Sequence, residues 1–287
     1  MIFGKSTLSR RFLMVAGRIL SASMLLSGSL QSAWAQSSDG DVARQALAKA
    51  CPVVNTVETT IIPAKMSPIS EWTAIYAVRG EINQLDDFAM DIQLGGVVGS
   101  QAAEGSENRQ NLMLLHSPGG SPIDVLKIHN ARKLATNSSL STLCVGFAHS
   151  SAASLLTLGD HRYALSACDI KFHRFFVRKK PAVSKQLIET SERIVDASNK
   201  WFTQYLKDEL RVSQGCADHL MRRELTTVKP TDALKMNLID GVLVLSKEVI
   251  DRLNAMGNKP FVEKLLDPET MKLLKMQVRA QAITPPR

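Results

Sequence analysis

The sequence predicts an α/β fold built on a parallel sheet. Short apolar runs at 111–116, 142–145 and 169–173 alternate with stretches of helical pattern, including one at 121–136. Two short runs separated by a helix of that length call for a right-handed parallel crossover. Gly119, Gly120, Ser150 and His173 all fall at or close to the carboxyl ends of these strands. That end is where ligands gather in such sheets.

Each turn then carries its own chemistry. Adjacent glycines after a strand let the backbone take positive φ and approach another chain closely, with N–H groups free to face a bound oxygen. Ser150 lies where a strand gives way to the small-residue helix Ser151-Ala152-Ala153-Ser154. A hydroxyl at a helix N-terminus sits where developing negative charge is favoured, which suits a nucleophile. Serine is equally a common N-cap, and the turn by itself leaves both readings open.

Three segments together resemble the proteolytic subunit of the Clp protease family. They are Ser117-Pro118-Gly119-Gly120, then Cys144-Val145-Gly146-Phe147-Ala148-His149-Ser150-Ser151-Ala152-Ala153, then Gly159 to Leu165 followed by Ile170-Lys171-Phe172-His173. The family pattern has an Asn-Ser-Pro-Gly-Gly turn, a Gly-x-Ala-Ala-Ser-Met-Gly-Ala nucleophile turn, a Gly-x-x-Arg-Phe-x-Leu-Pro hairpin and a Met-Ile-His-Gln strand end. A looser match runs over 230–240, and the whole resemblance covers about 74–245.

What it implies is a ClpP/crotonase fold of stacked ββα-type units, with a long helix after the catalytic strand, and serine-peptidase chemistry. Ser150 falls on the family's nucleophile and His173 on its general base. Gly120 and Ser151 fall on the two residues whose N–H groups form the oxyanion hole. His149 stands in place of a small residue, Ser151 in place of Met, and the hairpin before His173 is shorter. The family's Asp would fall near Leu225 or Thr226, neither of which can orient an imidazolium. Glu224 is therefore the expected third member, with Asp218 a more distant candidate. A Ser–Lys dyad through Lys171 is a nearby variant, though strand alternation puts Lys171 on the side of His173 without bringing it nearer Ser150.

In chain order, 1–35 reads as a secretory signal. Lys5, Arg10 and Arg11 precede an apolar stretch, and Ala33-Trp34-Ala35 has the form of a cleavage site. An uncleaved anchor is the alternative, but 19–30 is too short and too rich in Ser and Gly to span a bilayer. The pair Arg10-Arg11 invites a twin-arginine reading, yet the residue expected before Phe12 is missing, so general secretion is preferred. Cleavage after Ala35 makes the protein periplasmic or secreted, without a stable membrane span. It removes four basic residues and lowers the formal charge from +8 to +4. Lys and Arg are interspersed among acids except in the runs 178–180 and 222–223, which read as solvated surface, and with no aromatic interleaving nucleic-acid binding has no support.

Residues 36–72 form an N-terminal extension, with a short helix at 41–50 and a strand-favouring stretch at 53–65 that reads as a hairpin or arm. The core domain spans 73–245. It opens on a strand at 73–82, an amphipathic helix at 85–94 and a glycine-rich loop at 95–108, and it closes on a strand at 242–245. Residues 183–210 carry apolar positions at helical spacing, in the place of the family's "handle" helix between rings. This helix either assembles a homo-oligomer or covers its own core or another partner. Residues 246–287 read as a C-terminal helical extension with a loose Pro-Pro-Arg tail.

Four cysteines in an exported chain raise the question of disulfides. Cys144 and Cys168 are expected to be free and buried, and a Cys51–Cys216 bridge is a hypothesis. No Cys-x-x-Cys or His cluster indicates a metal, and no cofactor is implied. The expected function is hydrolysis of peptides or unfolded proteins by Ser–His acyl transfer without a dedicated ATPase. Two alternatives are an inactive relative that serves as a binding scaffold and a crotonase-type acyl-CoA enzyme.

Overall fold

The computed structural model describes residues 38–280 apart from 68, 73, 84, 87, 88, 90–108, 136, 137 and 178–183. The expected leader, most of the 85–94 helix, the glycine-rich loop, the basic run 178–180 and the Pro-Pro-Arg tail lie outside the described residues. In chain order the strands are β1 (Thr59–Pro63), β2 (Ala74–Ile82), β3 (Arg109–Gly120), β4 (Ser138–His149), β5 (His161–Leu165), β6 (Asp169–Phe172), β7 (Thr226–Val228), β8 (Gly241–Val244) and β9 (Lys275–Arg279). The helices are α1 (Ser38–Ala50), α2 (Val53–Thr56), α3 (Pro122–Leu134), α4 (Ser151–Thr157), α5 (Lys185–Asp208), α6 (Gln214–Leu220), α7 (Pro230–Lys235), α8 (Lys247–Ala255), α9 (Phe261–Leu265) and α10 (Pro268–Leu273).

The strands form one mixed sheet in the order β1-β9-β8-β5-β4-β3-β2, parallel from β8 to β2. β4 is long enough to serve two neighbours on one edge. Ser141 to Cys144 pair with β5, and Phe147 to His149 pair with β6, which carries β7 antiparallel on its far side. The central strands are apolar on both faces because both faces are covered. On one face Cys144, Ala148, Ile170 and Phe172 pack with α3, α4 and the C-terminal half of α5. On the other, Leu112, Leu143 and Leu243 pack with Val249 and Leu253 of α8 and Leu265 of α9.

Local signals fix the ends of the helices. Ser121 caps α3 by accepting from the Asp124 N–H at 3.3 Å, and Pro122 supplies a first-turn φ without needing a donor. Ser184 caps α5 in the same way through the Leu187 N–H at 3.3 Å.

Several expectations change. The segment Ser117 to Gly120 is not a free turn: it stays paired with β2 across a register shift between Arg79 and Glu81. β5 and β6 do not make a hairpin; each runs parallel to β4. The stretch 53–65 divides into α2 and β1, and β1 pairs with β9 rather than with a partner of its own. The C-terminal region is helical only through α10 and ends in β9, which inserts between β8 and β1. Cys144 and Cys168 are not free: they form a disulfide, because the β4–β6 pairing brings the end of the β5–β6 connection back over β4. Cys51 and Cys216 form the hypothesised second bridge.

That bridge belongs to a set of contacts that fasten the N-terminal segment. Arg44 faces the buried Asp232 at 3.6 Å, and Lys235 Nζ donates to the Val54 carbonyl at 2.8 Å. Neither Asp232 oxygen has a hydrogen-bond partner among the described residues, so the ion pair offsets only part of the cost of burying that carboxylate.

Candidate active site

Ser150 occupies the junction of β4 and α4 with φ 55° and ψ −126°. An L-residue there is strained by roughly 1–3 kcal/mol and persists only where its surroundings enforce it. The enforcement is visible on three sides. The Ser150 N–H donates to the Lys171 carbonyl at 2.8 Å, tying the turn to β6, and the Ser150 carbonyl accepts from the Ser154 N–H at 3.1 Å. On the third side Gly119 (φ 99°) presses against the turn, where any Cβ would lie 2.6 Å from the Ser150 Cβ. A side chain at that position is excluded, which explains the first of the paired glycines.

Gly120 and Ser151, expected as oxyanion donors, are neighbours. Ser151 Oγ donates to the Gly120 carbonyl at 2.8 Å, so the Gly120 backbone runs beside the first turn of α4. The first N–H groups of a helix lack intrahelical acceptors, which leaves donors at the point where the Ser150 turn ends.

His173 follows β6 directly. Ile170 and Phe172 point into the core, so alternation puts Asp169, Lys171 and His173 together on the opposite, partly exposed face. The His173 Nδ1–H donates to the Arg174 carbonyl at 2.7 Å. A carbonyl only accepts, so this bond fixes the proton on Nδ1 and leaves the lone pair on Nε2, the tautomer a general base needs. Among the described residues no hydrogen bond joins Ser150 Oγ to His173; the two approach through backbone, Ser150 being bonded two residues ahead of His173.

Glu224 is exposed, and among the described residues neither a hydrogen bond nor an ion pair connects it to His173. β7 sets Thr226 opposite Phe172. The Thr226 hydroxyl donates to the His219 carbonyl at 3.1 Å and accepts from Arg222. Asp218 accepts from Gln214 on the surface of α6 at 2.8 Å. Lys171 Nζ is paired with Asp169 at 2.7 Å.

One cluster escaped sequence reasoning. His149 Nε2 meets Asp169 Oδ2 at 2.8 Å, the same oxygen that Lys171 holds. Burial raises the Asp169 pKa, but hydrogen bonds from Lys171 and His149 outweigh it, so the carboxyl sits below its ordinary range. The His149 ring lies tilted against Phe147 at 5.1 Å, and Phe147 in turn meets His116 at 4.2 Å. The only hint in the sequence was an imidazole standing where the family keeps a small side chain.

The Clp protease family model matches residues 101–246, about half of the chain. The chain belongs to the Clp protease family. No curated protein matches it. Strands β3 to β8, Ser150 and His173 all lie inside the Clp protease match, whereas α1, β1, β2 and everything from α8 onward lie outside it. The Clp protease assignment supports a hydrolase role in general terms. Among the described residues no helix is long and apolar enough to cross a membrane, and no group of three His, Cys, Asp or Glu side chains is placed to hold a metal.

Proposed function

We propose that the protein is an exported serine peptidase of ClpP type, acting on peptides or unfolded chains within a ClpP/crotonase arrangement. The observation that carries this reading is the strained backbone of Ser150, held at a strand-to-helix turn beside the strand that delivers His173. Such outliers cluster where strain serves mechanism. Ser150 Oγ attacks the peptide carbonyl, and its proton passes to His173 Nε2. The Gly120 and Ser151 N–H groups hold the oxyanion, and His173 then returns the proton to the leaving amine.

In place of an acid, the Arg174 carbonyl keeps His173 in the reactive tautomer. It cannot balance the imidazolium as a carboxylate does, so the expected enzyme is slow rather than inert. Export is supported by the leader pattern and by two disulfides, a usage typical of oxidising compartments.

A fluorophosphonate probe tests the proposal. It should label the wild-type protein and fail on Ser150→Ala; equal labelling of both would end it. The missing Ser150–His173 hydrogen bond favours a second reading, an inactive binding scaffold. In that case neither protein labels, while an unfolded polypeptide is still retained.

A further inference from the structure

At the end of the sheet opposite Ser150 lies a cavity of about 170 Å³, at the amino ends of β3, β4 and β5. Ser139 and Ser141 of β4, His161 and Tyr163 of β5, and Lys65 and Trp72 from the β1–β2 connection line it. Ser141 is 2% exposed and Tyr163 8%, yet neither hydroxyl has a hydrogen-bond partner among the described residues. Other buried hydroxyls are satisfied: Thr142 Oγ1 donates to the Leu156 carbonyl at 2.7 Å and Thr157 Oγ1 to the Ser154 carbonyl at 2.7 Å. The wall behind the cavity is also fixed, the Trp72 Nε1–H donating to the Ser67 carbonyl at 2.9 Å. Both hydroxyls open onto the cavity, where an occupant or water can pair with them.

The chemistry of the wall defines that occupant. Lys65 contributes an ammonium with no carboxylate partner among the described residues, and the serine and tyrosine hydroxyls can donate to the same region. Burial pushes the Tyr163 hydroxyl pKa up, keeping it a donor. Trp72 and Tyr163 add flat apolar surface. The volume is well above the roughly 10–15 Å³ that a single water needs by the same measure, so the cavity has room for a small organic molecule. We propose that this cavity binds a small monocarboxylate with a flat apolar body, its carboxylate directed to Lys65 and the Ser141 and Tyr163 hydroxyls.

Benzoate and its neutral isostere benzamide probe this in the full-length oxidised protein by titration calorimetry or ligand-observed NMR. Benzoate should bind at least about tenfold more tightly than benzamide, and Lys65→Met should remove that difference. Tyr163→Phe, which keeps the ring and its packing, and Ser141→Ala should each weaken benzoate about three- to tenfold while leaving fluorophosphonate labelling of Ser150 unchanged. The proposal is overturned if neither compound binds at about 10 mM, which would leave a cavity filled by water alone. It is equally overturned if benzamide matches benzoate, or if Lys65→Met leaves the preference intact.

Discussion

At Ser150 the hydroxyl and the backbone make separable contributions, and alanine and glycine substitutions tell them apart. Both remove the nucleophile, but only glycine takes φ 55° without strain. Ser150→Gly should therefore be more stable than Ser150→Ala by about 1 kcal/mol, a melting difference of about 2–4 °C for a chain of this size. Equal melting points would mean the turn is not enforced. His173→Ala should slow labelling by roughly 10²–10⁴-fold. Glu224→Gln, at an exposed site without contact to His173, should stay within about twofold of wild type. The positions of Ser150 and His173 at the ends of two strands were legible in the sequence, from the apolar runs and from the resemblance to the Clp protease family. The His149–Asp169 pair was not, since it depends on a parallel register that sets His149 beside Lys171.

The same cluster gives a pH dependence. The Asp169 carboxyl titrates lower in the folded protein than in the unfolded chain, so its contribution is complete above the unfolded value near about 3.9. It is lost as pH falls through the folded value. Asp169→Asn should flatten the acid limb of a stability–pH profile below about pH 4 while leaving its shape at neutral pH unchanged; identical acid limbs would remove Asp169 from the account.

Among the elements, Cys51, directly after the N-terminal helix α1, is joined to Cys216 of α6, which closes a loop with a sequence separation of 165. In the chain-entropy picture a loop of that length is worth about 5 kcal/mol, and native bridges typically deliver 2–4. Cys51→Ser with Cys216→Ser should lower the melting temperature markedly without preventing labelling of Ser150, which lies in other elements. Alkylation of the unreduced wild-type protein should find no reactive thiol, whereas two reactive thiols would dissolve one of the bridges. The strand β9 shows why the C-terminal extension was misread. Met276 and Val278 alternate with Lys275, Gln277 and Arg279, a period-two signal present in the sequence. It spans only five residues after a long helical pattern, and its partners β1 and β8 are remote in the chain.

For the whole molecule, α5 poses the question of assembly. Its 24 residues extend about 36 Å, and its buried apolar residues, Phe202 and Leu206 among them, lie in the C-terminal half, with Val195 packing only partly against the same core. In the N-terminal half Leu187 is 56% exposed and Ile194 40%, and Ile188, Ser191 and Val195 beside them are half-buried. Positions 187, 188, 191, 194 and 195 make one stripe at helical spacing, too apolar to be explained by the charged residues that flank it. A second copy of the chain would cover it by a self-complementary pairing about a two-fold axis, the commonest symmetry for such contacts. Sedimentation should then show an assembly in the wild type. Leu187→Glu with Ile194→Glu should yield monomers of unchanged circular dichroism, because neither side chain enters the core. An unchanged sedimentation coefficient in the double variant would detach α5 from assembly and leave its stripe for a different partner.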